Sequence, residues 1–265
     1  MRIALLPKEH GAYGQMAFPL VTGLAVAGLA LPALLTALAI VTGFLAHEPA
    51  LVLLGLRGPR AKRELARPAA LWLAIIGTIA IVAGLLALGV APAHVRWTFA
   101  LPLVPAALLV IAIATRQEKS WHAEVAVALT FSLAAVPLCL AAGTSSRTAL
   151  AVAVPFALLF VAGTLAVRTV ILRVRGGGDP RGTARTRLAV ILLTVVAPSA
   201  LALAAASGRL PWVAVLAAAP GLVLSLVVAL SSPSPARLKA IGWSLVAAST
   251  LAAGIVIGNV GSLAR

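Results

Sequence analysis

A histidine beside a carboxylate can move a proton, ligate a metal or hold a polar group, and His47-Glu48 is such a pair at the end of an apolar run. A basic run follows it: Arg57, Arg60, Lys62, Arg63 and Arg67. Comparable stations recur along the chain. Lys8-Glu9-His10 precedes the first apolar segment, Glu118, His122 and Glu124 surround the start of another, and Asp179 lies in the loop Gly176-Gly177-Gly178-Asp179-Pro180. Glu118 and His122 are four apart and are expected on one helix face, which His122 and Glu124 do not share. Three chemistries fit these types. They are polar anchoring of helix ends, a zinc or iron site drawing on His10, His47, His122 and nearby carboxylates, and an anionic-ligand site in which acids hold a divalent cation and arginines take phosphate.

The arginines bear on the third. Thr164, Arg168, Ile171 and Arg175 recur at helical spacing, so Arg168 and Arg175 share a face, with Arg168 inside the helical pattern. Arg181, Arg185 and Arg187 follow the glycine loop, and guanidinium groups match phosphate oxygens in pairs. The competing account is attraction to anionic lipid headgroups, worth about 1 kcal/mol per basic residue at the surface.

Elements that position these residues must be membrane helices. The 265 residues are 62% hydrophobic and 10% charged, too apolar for a soluble core to hide. The 21 Lys and Arg against 6 Asp and Glu give a net charge of +15. In a soluble chain that would suggest nucleic acid, but here the basic residues fall between apolar runs, and no nucleic-acid motif accompanies them. The lone Cys139 offers neither a disulfide nor a metal spacing.

Charges, prolines and glycines divide the chain into nine candidate spans near 12–30, 33–56, 68–91, 97–115, 122–142, 148–171, 187–206, 211–230 and 240–262. The first is expected as a retained helix rather than a cleaved leader, with Leu31-Pro32 turning it into the second. Pro68 and Pro211 are expected in first turns. Alternating the connections puts 17 of the 21 basic residues on the side of the N-terminus and leaves Arg96, Arg147, Arg209 and Arg265 opposite. This asymmetry predicts a cytoplasmic N-terminus. The reading is an all-α, polytopic helix bundle forming a single transmembrane domain over 1–265, multi-pass in the bacterial inner membrane, with the lipid bilayer as its principal partner.

Glu48 sits awkwardly in this scheme. A straight helix to Leu56 would leave it roughly 12 Å inside the helix end, where an ionised carboxylate costs on the order of 2.5–3.5 kcal/mol. Pro49 is expected to kink the helix or to end it near Glu48. Either outcome leaves His47 and Glu48 at a cytoplasmic mouth.

The opening Pro7-Lys8-Glu9-His10-Gly11-Ala12-Tyr13-Gly14-Gln15-Met16, with Pro19 after it, resembles the start of the YwiC-like family of bacterial membrane proteins, in which a Trp commonly stands where Tyr13 does. Trp121-His122-Ala123-Glu124 and Gly163-Thr164 through Arg168 and Arg173 are similar to that family's polar stations. The family implies a class and not an activity. The layout also resembles the UbiA prenyltransferase superfamily: nine helices with polar loops after the second and sixth. That resemblance implies magnesium and a prenyl diphosphate held by Asp-rich motifs. In this sequence the matching stations retain only Glu48 and Asp179 as carboxylates, so the resemblance supports the fold more than the reaction.

Two functions are carried forward. In one, a divergent prenyltransferase-like site acts on an amphiphile with an anionic head. His10, Glu48, His122 and Glu124 are its candidate catalytic groups. Lys8, Glu9, Gln15, His47, Arg116, Arg168, Arg173 and Asp179 are its candidate ligand-binding groups, and Glu48 with Asp179 would assist Mg2+. In the other, the protein binds or transports a lipid, a haem-like molecule or a small anion without turnover. Isoprenoids and quinones are the amphiphiles either would take. A structural role within a larger membrane complex is the remaining class, with its protein partners unspecified.

Overall fold

The computed structural model describes residues 5–7, 10–175 and 180–259, with the side chains of His10, 173–175 and Pro180 left aside. The described residues are helices joined by short turns, in the order α1 (His10–Ala27), α2 (Leu31–Leu53), α3 (Pro59–Val90), α4 (Ala100–Ala114), α5 (Trp121–Leu133), α6 (Ala135–Ala141), α7 (Ser146–Arg175), α8 (Pro180–Ala206), α9 (Trp212–Ser231) and α10 (Leu238–Gly258). Short 3-10 segments, Ala93–Phe99 and Pro235–Arg237, lead into α4 and α10. Eight helical stretches are long and apolar enough to cross a membrane, counting α5 with α6 as one and each 3-10 segment with its helix. α1 is the additional stretch among the nine expected. It carries His10, Tyr13 and Gln15 in its first turns and packs inside the bundle against α5, α6, α7 and α10, where protein replaces much of the lipid.

Helix ends follow the local chemistry with some shifts. Gly28, at a φ of +77°, turns α1 into α2, so the turn precedes Leu31-Pro32 and Pro32 falls in the first turn of α2. α2 continues through Pro49 to Leu53 instead of ending at Glu48. Arg60, Lys62, Arg63 and Arg67 lie on the first turns of α3, not in a loop, and Pro68 is interior to that helix. At 32 residues α3 is about 48 Å long, beyond the hydrocarbon thickness of about 30 Å, so its charged start extends past its apolar part. Pro211 directly precedes α9, close to its expected place. α5 gives way to α6 around Ala134 because Pro137 has no N–H for the Leu133 carbonyl.

The core lies among α1, α5, α6, α7, α9 and α10, around the fully buried Leu138, Phe156 and Leu159. At Gly221 on α9 a Cβ would stand 2.3 Å from Leu159 Cγ, so α7 and α9 meet only because that position has no side chain. The Gly254–Gly258 pattern has no such role, since a Cβ at either meets nothing within 4 Å. Several hydroxyls inside helices bond back to their own turn: Thr36 donates to the Pro32 carbonyl at 2.7 Å, Thr42 to Leu38 at 2.6 Å and Ser225 to Gly221 at 2.8 Å. Trp72, Trp97, Trp121, Trp212 and Trp243 are exposed, as belt residues are, whereas Tyr13 packs edge-on to Phe44 at 4.9 Å.

Candidate functional site

α2 and α3 pair as a hairpin and α4 packs on α5, and the space between the two pairs is a chamber of about 630 Å³. Its long walls are apolar: Ile40, Gly43 and Phe44 from α2, Ile81, Gly84, Leu85 and Leu88 from α3, and Leu103, Ala106 and Val110 from α4. Phe131 of α5 closes the far side, edge-on to Phe44 at 5.5 Å. Ile81, Leu85, Leu103 and Val110 are each more than 60% exposed, so the walls reach the outer, lipid-facing surface.

The chamber's polar end is built by one turn. After α2 the chain doubles back through Gly55 (φ +77°) and Gly58 (φ +94°), with the Leu56 N–H donating to the Leu51 carbonyl at 2.9 Å. This swings Arg57 over the helix end. Its Nε donates to Glu48 Oε1 at 2.8 Å and its Nη2 to Glu48 Oε2 at 2.7 Å, while Nη1 reaches Glu118 Oε1 at 3.4 Å. The Glu48 side chain is only 3% exposed. The desolvation cost of an ionised carboxylate inside the helix is offset by a two-point guanidinium pair. His47, half-buried, lines the same end.

A second cleft, of about 440 Å³, lies between α1, α7 and α10. α1 and α5 form the partition: Ala12 and Phe131 face the chamber, while Gly11, Gly14, Gln15 and Glu124 face the cleft. Here Arg168 Nη1 donates to Glu124 Oε2 at 3.1 Å and to the Lys119 carbonyl at 3.3 Å, and Gln15 Nε2 donates to Thr164 Oγ1 at 3.3 Å. Thr164, Arg168 and Ile171 line this cleft together, as their helical spacing predicts.

The candidate residues therefore divide. Glu48 and His47 belong to the chamber, and Gln15, Glu124 and Arg168 to the cleft. His122 is exposed, bonds to the Gln117 side chain at 3.2 Å, and lies against Trp121. The expected sharing of a helix face by Glu118 and His122 fails, because α5 begins only at Trp121, capped by Ser120, and Glu118 turns to Arg57. Arg116 sits exposed on a left-handed turn (φ +58°) and lines neither cavity. Lys8, Glu9 and Asp179 lie outside the described residues, as do the side chains of His10 and Arg173. Sequence reasoning placed Arg57 in the basic run without making it the partner of Glu48. The available signal was that a carboxylate inside an apolar helix needs a cation, and Arg57 is the first one after it.

Among the described residues no three of His, Cys, Asp and Glu converge, and both oxygens of Glu48 already accept from Arg57. Of the two carboxylates expected to assist Mg2+, Glu48 is thus already paired, and Asp179 lies outside the described residues.

No curated protein and no solved structure matches the chain. The family model described as YwiC-like protein matches residues 6–139, a stretch that contains every residue lining the chamber. With a bundle of apolar helices and half its length under that match, the chain is an integral membrane protein that belongs to the YwiC-like family.

Proposed function

We propose that the protein binds an amphiphile in the chamber, its chain against α2, α3 and α4 and its polar head against His47, Glu48 and Arg57. The observation that carries this reading is a long apolar chamber ending at a buried, fully paired ion pair. An isoprenoid or quinone fits these demands. Its chain matches the hydrocarbon walls, and its carbonyl or hydroxyl needs only hydrogen bonds from an end where Glu48 and Arg57 offset one another. The exposed lining residues of α3 and α4 support entry from the lipid.

Binding without turnover is favoured over prenyl transfer because Glu48, one of the two carboxylates that would assist a cation, is committed to Arg57. A nine-pass, UbiA-like arrangement with the N-terminus in the cytoplasm of the inner membrane completes the reading. It is supported by α1 packing inside the bundle and by the 17-to-4 division of basic residues.

The test is lipid mass spectrometry of the detergent-purified protein beside a Gly43→Leu variant. Gly43 lines the chamber and a Cβ there meets nothing within 4 Å, so a leucine would occupy ligand space without a clash. It should raise helix stability by roughly 0.5–1 kcal/mol while the retained isoprenoid or quinone is lost. A wild-type protein carrying only bulk phospholipid would overturn the reading.

A further inference from the structure

We propose that the contact between Arg57 and Glu118 is a releasable clasp across the polar end of the chamber and, on the reading of the chamber given above, that its opening admits and frees the head of the bound amphiphile. Two matching turns build the clasp. At the end of α2 the Gly55 N–H donates to the Val52 carbonyl at 3.0 Å and the Leu56 N–H to the Leu51 carbonyl at 2.9 Å. At the end of α4 the Arg116 N–H donates to the Ile113 carbonyl at 3.0 Å and the Gln117 N–H to the Ala112 carbonyl at 2.6 Å. Each cap turns on one left-handed residue, Gly55 at a φ of +77° and Arg116 at +58°. Arg57 stands two residues after Gly55, and Glu118 two residues after Arg116. α2 and α4 belong to opposite walls of the chamber, so equivalent positions on equivalent caps meet, with Arg57 Nη1 donating to Glu118 Oε1 at 3.4 Å.

The bonds that Arg57 makes to these two acids are unequal. Its pair with Glu48 is two-point, at 2.7 and 2.8 Å, on a carboxylate 3% exposed. Its bond to Glu118 is single, longer and made to a carboxylate 24% exposed, so this one yields first. Arg57 then stays with Glu48 on the α2–α3 wall and parts from the α4–α5 wall. The helix packing allows that movement. α3 packs chiefly on α2, and α2 is fixed at its opposite end, where Ala33 is fully buried in the core that holds Leu138 of α6. The α4–α5 wall is held separately, by α5 against α7. Parting the two turns widens the chamber at the end where His47 and Glu48 stand.

The experiment is double electron–electron resonance on the full chain in detergent, with spin labels on Arg63→Cys of α3 and Ala114→Cys of α4, both exposed positions, while Cys139 is buried. The otherwise unaltered chain should give one distance. Glu118→Gln should add a second, longer distance and speed the release of added decylubiquinone about fivefold, the scale of one partly exposed ion pair. Arg57→Lys keeps a charge for Glu48 but loses the planar fork that reaches a second acid, so it should do the same. Combining it with Glu118→Gln should add nothing further, because both remove one contact. Glu64→Gln removes the same charge from an exposed pair within α3 and should change neither reading. An unchanged distance in Glu118→Gln, additive effects in the double variant, or an equal effect of Glu64→Gln would overturn the proposal. The two readings fail separately: a chamber that takes no decylubiquinone would overturn the binding reading, while the distances still decide whether the clasp holds.

Discussion

The chamber and the cleft end in the same two side-chain types, with arginines of similar exposure and carboxylates buried differently. Glu48 meets Arg57 at 2.7 and 2.8 Å with the carboxylate 3% exposed, whereas Glu124 meets Arg168 at 3.1 Å with the carboxylate 39% exposed. The first pair closes the end of a helix that would otherwise hold a bare charge in an apolar setting. The second lies at an open mouth where water competes for both partners. The difference extends to their setting in the chain. The chamber is formed entirely within residues 6–139, while the cleft joins Gln15 and Glu124 from that stretch to Thr164, Arg168 and Gly242 from beyond it. A charge pair near a cavity is thus not one kind of object: the burial of its carboxylate sets how far water competes for it.

The harshest way to break the comparison is to orphan Glu48. Arg57→Met leaves a buried carboxylate without its partner and should cost about 3–5 kcal/mol, read as a large fall in thermal unfolding temperature in detergent. The double change Glu48→Leu with Arg57→Met should recover most of that loss, since it removes the charge as well as its partner. If Arg57→Met were as stable as wild type, the pair would not be what permits Glu48 to be buried.

A smaller effect separates the cavities sterically. Gly221→Ala drives a Cβ to 2.3 Å from Leu159 Cγ, and Leu159 lines the cleft but not the chamber. The expected cost is about 1–3 kcal/mol from overpacking. Amphiphile retention in the chamber should stay unchanged, and its loss would mean that α7 and α9 support the whole bundle and do not act on one cavity.

Much of this architecture was legible in the sequence because the bilayer reduces folding to a length and polarity problem. Runs near 68–91 and 148–171 already mark the apolar parts of α3 and α7, and only the charged ends extend further. The helical spacing of Thr164, Arg168, Ile171 and Arg175 puts them on one helix face; the first three line the cleft, and the side chain of Arg175 lies outside the described residues. What the sequence hid was the partner of each charge. Arg57 reaches Glu48 across a turn that depends on the positive φ of Gly55 and Gly58. Arg168 and Glu124 are 44 residues apart and meet only because α5 packs on α7. Long-range packing of that kind leaves no periodic trace, so a cluster of acids and histidines read as one site separates into two cavities with His122 outside both.

The smallest predicted effect sharpens the comparison most. Glu124→Gln should change stability by no more than about 1 kcal/mol, because its pair with Arg168 is partly hydrated. What remains of that effect should vanish with salt: near 1 M the Debye length is about 3 Å, short enough to screen charges at an open mouth. Thermal unfolding of wild type and Glu124→Gln should therefore converge between low and high salt. The gap between wild type and Arg57→Met should persist, since counterions do not reach a carboxylate that is 3% exposed. A salt-insensitive Glu124→Gln defect would place both pairs in the same sealed class.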